Sequence, residues 1–468
     1  MEYTEKTINQ IVENQRAYFK TNETLPVSFR IQQLKKLKKA IIDNEAEIIN
    51  ALNFDLNRAS QEAYLCDIGP TISEINETIK GLKRWARPEI HLSGLMTFPS
   101  IFTKVYKMPY GVTLIISPFN FPILLSLGVL TAAIAGGNTA VIKVSSKSKG
   151  CSKALQDIIA KTFDEKYITV IDGGHDVADM CLNQRFDKIF YTGSPKVAKH
   201  VLQEAAKNLT PVALELGGET GNFAIVRKDA DIVDAARKIA FFKSLNAGQI
   251  CININQVAVA QEIKDEFIEE LKKAFIKFLG KEPLYNLEYP RLISRGAYDK
   301  CEEDVERYKD KVVFGGKGSQ ERLTFEPTIL YPVDINEEIV QRELFSPILP
   351  VITYKDEEID DLLSIIADRE HPLAMYLFTK DYKWAEQTMK TMQYGGGCIN
   401  EVCVHLMVKG VPFNGTGHSG CGAYHGVWGF REFSHPQTVL FGNTKLNLPL
   451  REHPYSKWKM ALIKIFEK

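Results

Sequence analysis

From residue 111 onward, short apolar runs alternate with helical stretches, and this alternation constrains the fold more than any other feature. Gly111–Ser117, Thr139–Lys143, Tyr167–Ile171 and Lys188–Tyr191 are strand-length runs. Between them lie an apolar helical stretch from Pro118 through Leu130 and another over about 150–163. Runs that are apolar throughout predict strands of a parallel sheet covered on both faces. The pattern restarts after Leu216, with a strand near 222–226, a helix near 230–245, a strand near 253–260, and further elements to about 430. Upstream, Ile31, Leu34, Leu37, Ile41, Ile48 and Leu52 recur at helical spacing. Ile72, Ile75, Ile79 and Leu82 mark a second helix, with Pro88 beyond its end. Two α/β lobes meeting near residue 213 follow, with Glu215 at the junction and Cys251 in the second lobe. A chain of 468 residues has room for both, and the lack of any low-complexity linker predicts that they pack together.

Charge and cysteine usage exclude whole classes. Lys+Arg and Asp+Glu both number 58, so no electrostatic footprint for nucleic acid is present. The 8 cysteines are scattered without a CxxC pair, which predicts reduced thiols, a cytoplasmic location and no metal site. Met1–Lys6 lacks the basic and apolar regions of a signal peptide, and no run of about 18 apolar residues spans a membrane. The basic, amphipathic tail Lys457–Phe466 fits either a helix docked on its own protein or partner subunit, or a weak peripheral membrane contact. Docking is favoured, because a single short anchor binds only marginally.

Four segments carry chemistry. Asn246-Ala-Gly-Gln-Ile-Cys251 sets a thiol just after a glycine that permits close backbone approach. Leu214-Glu215-Leu216-Gly217-Gly218 sets a carboxylate against paired glycines; thiol and carboxylate together point to covalent catalysis with a general base. Each has a plainer reading, Cys251 as an inert buried thiol and Glu215 as an ion-paired junction residue. Ser117-Pro-Phe-Asn120-Phe-Pro122 ends a strand where open α/β sheets bind ligands; taken alone, Asn120 reads better as a cap on the next helix. Tyr191-Thr-Gly-Ser194 opens a helix through Val201, so Ser194 is an N-cap, a phosphate-binding group, or both. Gly415-Thr-Gly-His-Ser-Gly420 matches GxGxxG, but no clear helix follows, and it is read as a loop walling the far side of the cleft.

These segments, together with Glu343-Leu-Phe345, His371–Tyr376 and Ser419–Gly426, resemble the aldehyde dehydrogenase superfamily from about residue 26 to 443. The short N-terminus and Tyr-His-Gly ending resemble its class 3 branch of fatty and aromatic aldehyde dehydrogenases. The resemblance implies an α/β fold of two Rossmann-like lobes plus a small β bridging and oligomerisation element. Its domain limits are 1–90 and 110–212 for the cofactor, 213–430 for catalysis, 91–109 and 431–450 for the bridge, and 451–468 for the tail. It implies that Cys251 attacks the aldehyde to form a thiohemiacetal, held by the Asn120 amide and the Cys251 N–H. Oxidation by the nicotinamide leaves a thioester, which water activated by Glu215 hydrolyses to the acid. The implied cofactor residues are Ile116, Ser117, Pro118, Phe119, Lys143, Ser145, Ser146, Thr192, Gly193, Ser194, Val197, Leu216, Gly217, Glu343 and Phe345. Lys143 would meet the adenosine ribose, and Glu343 with Phe345 the nicotinamide ribose and ring.

Several positions depart from the family pattern. Ser146 stands where a ribose-gripping glutamate is usual, and Lys147 and Lys149 lie near, so NADP is expected to be accepted at least as well as NAD. Glu219, Ser346 and Asn414 also depart, without removing a catalytic group. Acyl-transferring or acyl-phosphate reductases of the same superfamily, and a non-catalytic binding member, are the alternatives; retention of Glu215, Asn120 and Cys251 weighs against both. Phe119, Phe121, Leu125, Tyr64 and the 401–408 loop are expected to line an apolar entrance for medium- or long-chain aliphatic or aromatic aldehydes. Ile101, Thr103 and Tyr106, with Val439–Phe441 beside them, are expected to bridge a homodimer.

Overall fold

The structure is a computed structural model describing residues 3–92, 97, 99–446 and 449–466. Parts of the expected bridge (93–96, 98, 447–448) and the chain ends, including the first residues of the Met1–Lys6 segment, lie outside the described residues.

The alternation of the sequence becomes two sheets. The first has six strands in the order Gly420–Cys421, Val212–Leu216, Lys188–Gly193, Val112–Ile116, Thr139–Lys143 and Ile168–Ile171. All pair in parallel except Gly420–Cys421, which runs antiparallel to Val212–Leu216. Alternate residues of one strand serve opposite faces, as the pleat requires. Val112 and Leu114 join a core with Ile8, Ile11, Val177 and Val201. Ile115 joins the other core, with Leu34, Ile75, Leu130 and Leu155. The apolar runs are thus buried on both sides by helices.

The second sheet has seven strands, in the order Val312–Phe314, Thr328–Leu330, Ile348–Tyr354, Ile254–Ala260, Asn222–Val226, Ala374–Phe378 and Gly396–Ile399. One continuous core contains Ala213 and Phe190 of the first lobe and Ala224, Ile252 and Val257 of the second. The lobes are packed, not tethered.

Two expectations change. The helical run expected across Ile31–Leu52 is two helices, Val27–Asp43 and Glu45–Leu56. Asn44 leaves the helical basin at φ −114°, ψ 20°, and its side-chain amide donates to the Ala40 carbonyl at 2.7 Å. The expected division between 212 and 213 falls inside a strand: Val212–Leu216 lies wholly in the first sheet, so the chain leaves that sheet only at Gly217. The expected 213–430 unit is also divided, because Gly420–Cys421 and the helix Gly426–Glu432 return to the first lobe. Period and apolarity mark a strand but do not say which sheet receives it.

A third sheet is antiparallel: Glu89–Leu92, Phe102–Pro109 and Ser434–Phe441. Its register sets Phe441 opposite Phe102 and Leu440 opposite Thr103, the pairing anticipated for these segments. The tail forms the helix Lys457–Phe466, whose Lys459 ammonium is buried on the Glu452 and Pro454 carbonyls at 3.0 Å each. Among the described residues, no helix is long and apolar enough to cross a membrane.

Candidate active site

The site lies where the first sheet's strands end and the second sheet's begin. Strand order reverses between Val112–Ile116 and Lys188–Gly193, the position at which an open α/β sheet leaves a crevice. Ile116–Asn120 leaves one of these strands and Thr192–Ser194 ends the other. Ser194 accepts from the Val197 N–H at 3.5 Å and so caps the helix Pro195–Ala206. The Thr192 hydroxyl is buried without a partner.

Lys143 ends its strand buried, its ammonium donating to the carbonyls of Val144 and Gly173 at 2.7 Å each, which leaves one N–H free. Burial lowers its pKa. Ser145 is half-buried, and Ser146 and Lys147 are exposed. The Lys147 ammonium sits 5.4 Å from the Phe119 ring centre, and Phe119 meets Phe345 edge-on at 5.9 Å. A side chain on Gly217 would bring its Cβ to 2.0 Å from Glu343 Oε1, so glycine is what lets Glu343 lie against this backbone. Phe119, Phe345 and Lys147 thus lie together, and Gly217 lies against Glu343. Ser346, a departure from the family pattern, is buried and its hydroxyl accepts from the Ile348 N–H at 3.4 Å.

The Cys251 loop is built from an unusual turn. Asn246 and Ala247 each have φ 50° and Gly248 φ 78°, three consecutive left-handed residues. At Gly248 a Cβ would fall 2.1 Å from the Ser346 carbonyl oxygen, so only glycine fits. The Asn246 amide donates to the carbonyls of Gln249 (2.9 Å) and Asn120 (3.1 Å). Asn120, itself buried, donates its amide to the same Gln249 carbonyl at 3.1 Å. Asn222 donates to the carbonyls of Cys251 and Asn253 at 2.8 Å each and accepts from Ala374 N–H at 2.7 Å. Asn120 and the cysteine loop are thereby locked together.

The electrostatics are those of a dry cleft. Burial, then the charges of Glu343 and Glu215, push the Cys251 thiol up to about 12, against the opposing pull of the Ile252 and Cys251 N–H groups. Glu215 is buried with neither carboxyl oxygen hydrogen-bonded; burial, then Glu432, hold it well above the ordinary carboxylate range. Burial raises Glu343 to about 8 and lowers the fully buried Lys243 to about 7, each partly offset by the other's charge. Strong shifts concentrated in one cleft mark a functional centre.

The profile of the aldehyde dehydrogenase family matches residues 1–439. The chain belongs to the aldehyde dehydrogenase family. It is 38% identical over 463 residues to the 4,4'-diaponeurosporen-aldehyde dehydrogenase of Staphylococcus aureus (strain NCTC 8325 / PS 47), covering 98% of this chain and 99% of that one. It is 35% identical to the dimeric NADP-preferring aldehyde dehydrogenase of Canis lupus familiaris, over 92% of this chain and 94% of that one. A solved structure described as the substrate-bound state of Staphylococcus aureus AldH superposes with a TM-score of 0.95 at 37% identity, covering 100% of both chains. This dehydrogenase is therefore an enzyme that oxidises aldehydes with NAD or NADP. The residues present fit that cofactor: the Thr192 hydroxyl is unpartnered and Lys143 keeps a free N–H, on the two strands that flank Val112–Ile116.

Sequence reasoning missed four residues of the dehydrogenase's site. Arg58, Asp67 and Lys243 are buried charges with no local motif to announce them. Asp55 accepts from the Gly150 and Cys151 N–H groups at 2.9 and 2.7 Å, capping the helix that follows Ser146. Phe119 was expected at the substrate entrance as well as at the cofactor, and its ring packs on Phe345; Phe121 and Leu125 are buried. Tyr64, Leu65, Met407, Val408 and Val411 are exposed.

Proposed function

We propose that Cys251, Asn120 and Glu215 divide the reaction of this dehydrogenase as nucleophile, oxyanion donor and hydrolytic base. The observation that carries this is the shared Gln249 carbonyl, which holds the Asn120 amide against the cysteine loop. Attack by the sulfur on an aldehyde carbon gives a thiohemiacetal oxyanion, to which the second Asn120 N–H and the Cys251 N–H donate. Such a donor contributes about 10²–10³ in rate. NAD or NADP, when bound, supplies the two-electron oxidant that leaves the acyl group on sulfur as a thioester. Lys143, Ser194, Glu343 and Phe345 would hold it. Glu215 then takes a proton from the hydrolytic water, a general-base step contributing roughly 10²–10⁴. A reductase passing its acyl group to another acceptor would not need this base.

Exposed Ser146 and Lys147 in the place of a carboxylate support use of NADP at least as well as NAD. The Gly150 and Cys151 N–H groups there are already taken by Asp55, so a 2′-phosphate would rely on Ser146, Lys147 and Lys149. The substrate is a long apolar aldehyde. Supporting this, exposed Tyr64 and Leu65 adjoin Asp67, which is paired to Arg58. Met407 and Val408 follow Cys403, which bonds the Ile252 carbonyl at 3.3 Å. The 4,4'-diaponeurosporen-aldehyde named for the Staphylococcus relative belongs in the panel. The active species is a cytoplasmic homodimer formed through the three-stranded sheet.

Turnover of aliphatic, aromatic and polyene aldehydes, followed in the near ultraviolet with each cofactor, tests this reading. Acid production by the native chain and none by Cys251→Ala is expected; equal activity of the two would overturn it.

A further inference from the structure

Arg58 lies on the link between the helices Glu45–Leu56 and Ser60–Ala63, and its side chain is wholly inaccessible to solvent (0%). Its guanidinium reaches three separate segments. One nitrogen pairs with Asp67, a second donates to the Asn120 carbonyl, and Nε donates to the Asn246 side-chain oxygen at 3.1 Å. The Phe121 ring lies against it at 4.5 Å. The charge is further balanced by Glu62, whose Oε1 is 3.5 Å from Nε and accepts from the Asn246 N–H at 2.9 Å. The free oxygen of Asp67 accepts from the Ile123 and Leu124 N–H groups at 3.0 and 2.9 Å, anchoring the chain just beyond Asn120.

Burying three charged groups to brace a fold is a poor bargain in stability, because well-packed apolar residues serve as well or better. What a guanidinium adds is rigid, planar geometry, with donors pointing in fixed directions. Here those directions end on both halves of one functional pair. The Asn120 peptide is held by its carbonyl, and the Asn246 amide is held by its oxygen. Asn246 in turn holds the Gln249 carbonyl, to which the Asn120 side chain bonds.

We propose that Arg58 is the positioning residue of the oxyanion site, fixing the Asn120 amide relative to the Cys251 N–H through one guanidinium. It touches no substrate, and the proposal rests on the assignment of Asn120 and Cys251 given above. An oxyanion donor displaced by an ångström loses most of its advantage, so disturbing Arg58 acts on the transition state rather than on cofactor binding.

The test is a double-mutant cycle in the full chain. Arg58→Met combined with Asp67→Asn removes the guanidinium together with the charge of its Asp67 partner; Glu62 keeps the Asn246 N–H, and asparagine keeps an oxygen for Ile123 and Leu124. The aldehyde kcat/KM should fall about 10²-fold, with the cofactor KM and the rate of Cys251 alkylation by iodoacetamide unchanged within about two-fold, because alkylation forms no oxyanion. Adding Asn120→Ala should cost almost nothing more, since the donor being positioned is already lost. Arg58→Lys keeps the charge beside Asp67 and so folds even where the neutral pair does not. Lacking the planar fork, it should lose several-fold, again without compounding Asn120→Ala. Losses that multiply with Asn120→Ala in either background, an unchanged kcat/KM, or alkylation falling in step with turnover would overturn the proposal. Turnover untouched by Asn120→Ala alone would instead overturn the assignment of the oxyanion donor.

Discussion

A thiol raised to about 12 is almost wholly protonated at neutral pH, so the unliganded enzyme is a sluggish nucleophile. Its thiolate fraction grows tenfold per pH unit well below that value. Without cofactor, Cys251 alkylation should therefore accelerate about tenfold per unit from pH 7 to 9, measured by mass spectrometry; a plateau below pH 9 contradicts a thiol raised that far. Glu215 is raised by the same burial, and Glu215→Gln keeps its shape while removing the carboxylate that would accept a proton. That variant should fold and lose roughly 10²–10⁴ in steady-state acid formation, with acyl-enzyme accumulating in a stopped-flow burst. Unimpaired turnover would remove Glu215 from the mechanism. At this scale the sequence was readable where a reactive side chain sits beside a glycine or a strand end. It was silent about Arg58, whose partner Asn246 is 188 residues away, because only folding brings such groups together.

The cysteine loop depends on the elements around it, and Asn222 is the joint. From the first position of its strand it holds two carbonyls of the loop and one N–H of Ala374. Asn222→Ala leaves these groups without partners in a buried place, costing on the order of 1–3 kcal/mol, and a lower melting temperature together with a reduced kcat is expected. The loop after Lys143 is the second element to probe. Ser146→Glu restores a carboxylate near the exposed Lys147 and should shift the ratio of specificity constants towards NAD; a ratio unmoved by the change would place the discrimination elsewhere. Strands were legible to within a residue or two because parallel burial leaves an apolar run on the chain. The break at Asn44 was not, since the apolar spacing continues across it and only a side-chain bond to Ala40 reveals it.

For the whole molecule, the three-stranded sheet carries Leu92, Phe102 and Phe441 in register with one another and all exposed, an apolar strip suited to a second copy. Light scattering should give a dimer at micromolar concentration, and Phe102→Asp should give monomers with an unaltered far-ultraviolet spectrum. A native chain that is monomeric refutes the dimer. The two-lobe plan was visible in the sequence, but the boundary was not, because the strand holding Glu215 draws its outer neighbour from Gly420–Cys421. That return path has a bearing on how the chain is made. Ribosomes deliver residues at about 5–20 per second, so the strand carrying Glu215 emerges and then waits on the order of 10–40 s, at those speeds, with one edge bare. A chain cut short before residue 420 would leave that strand without its outer neighbour.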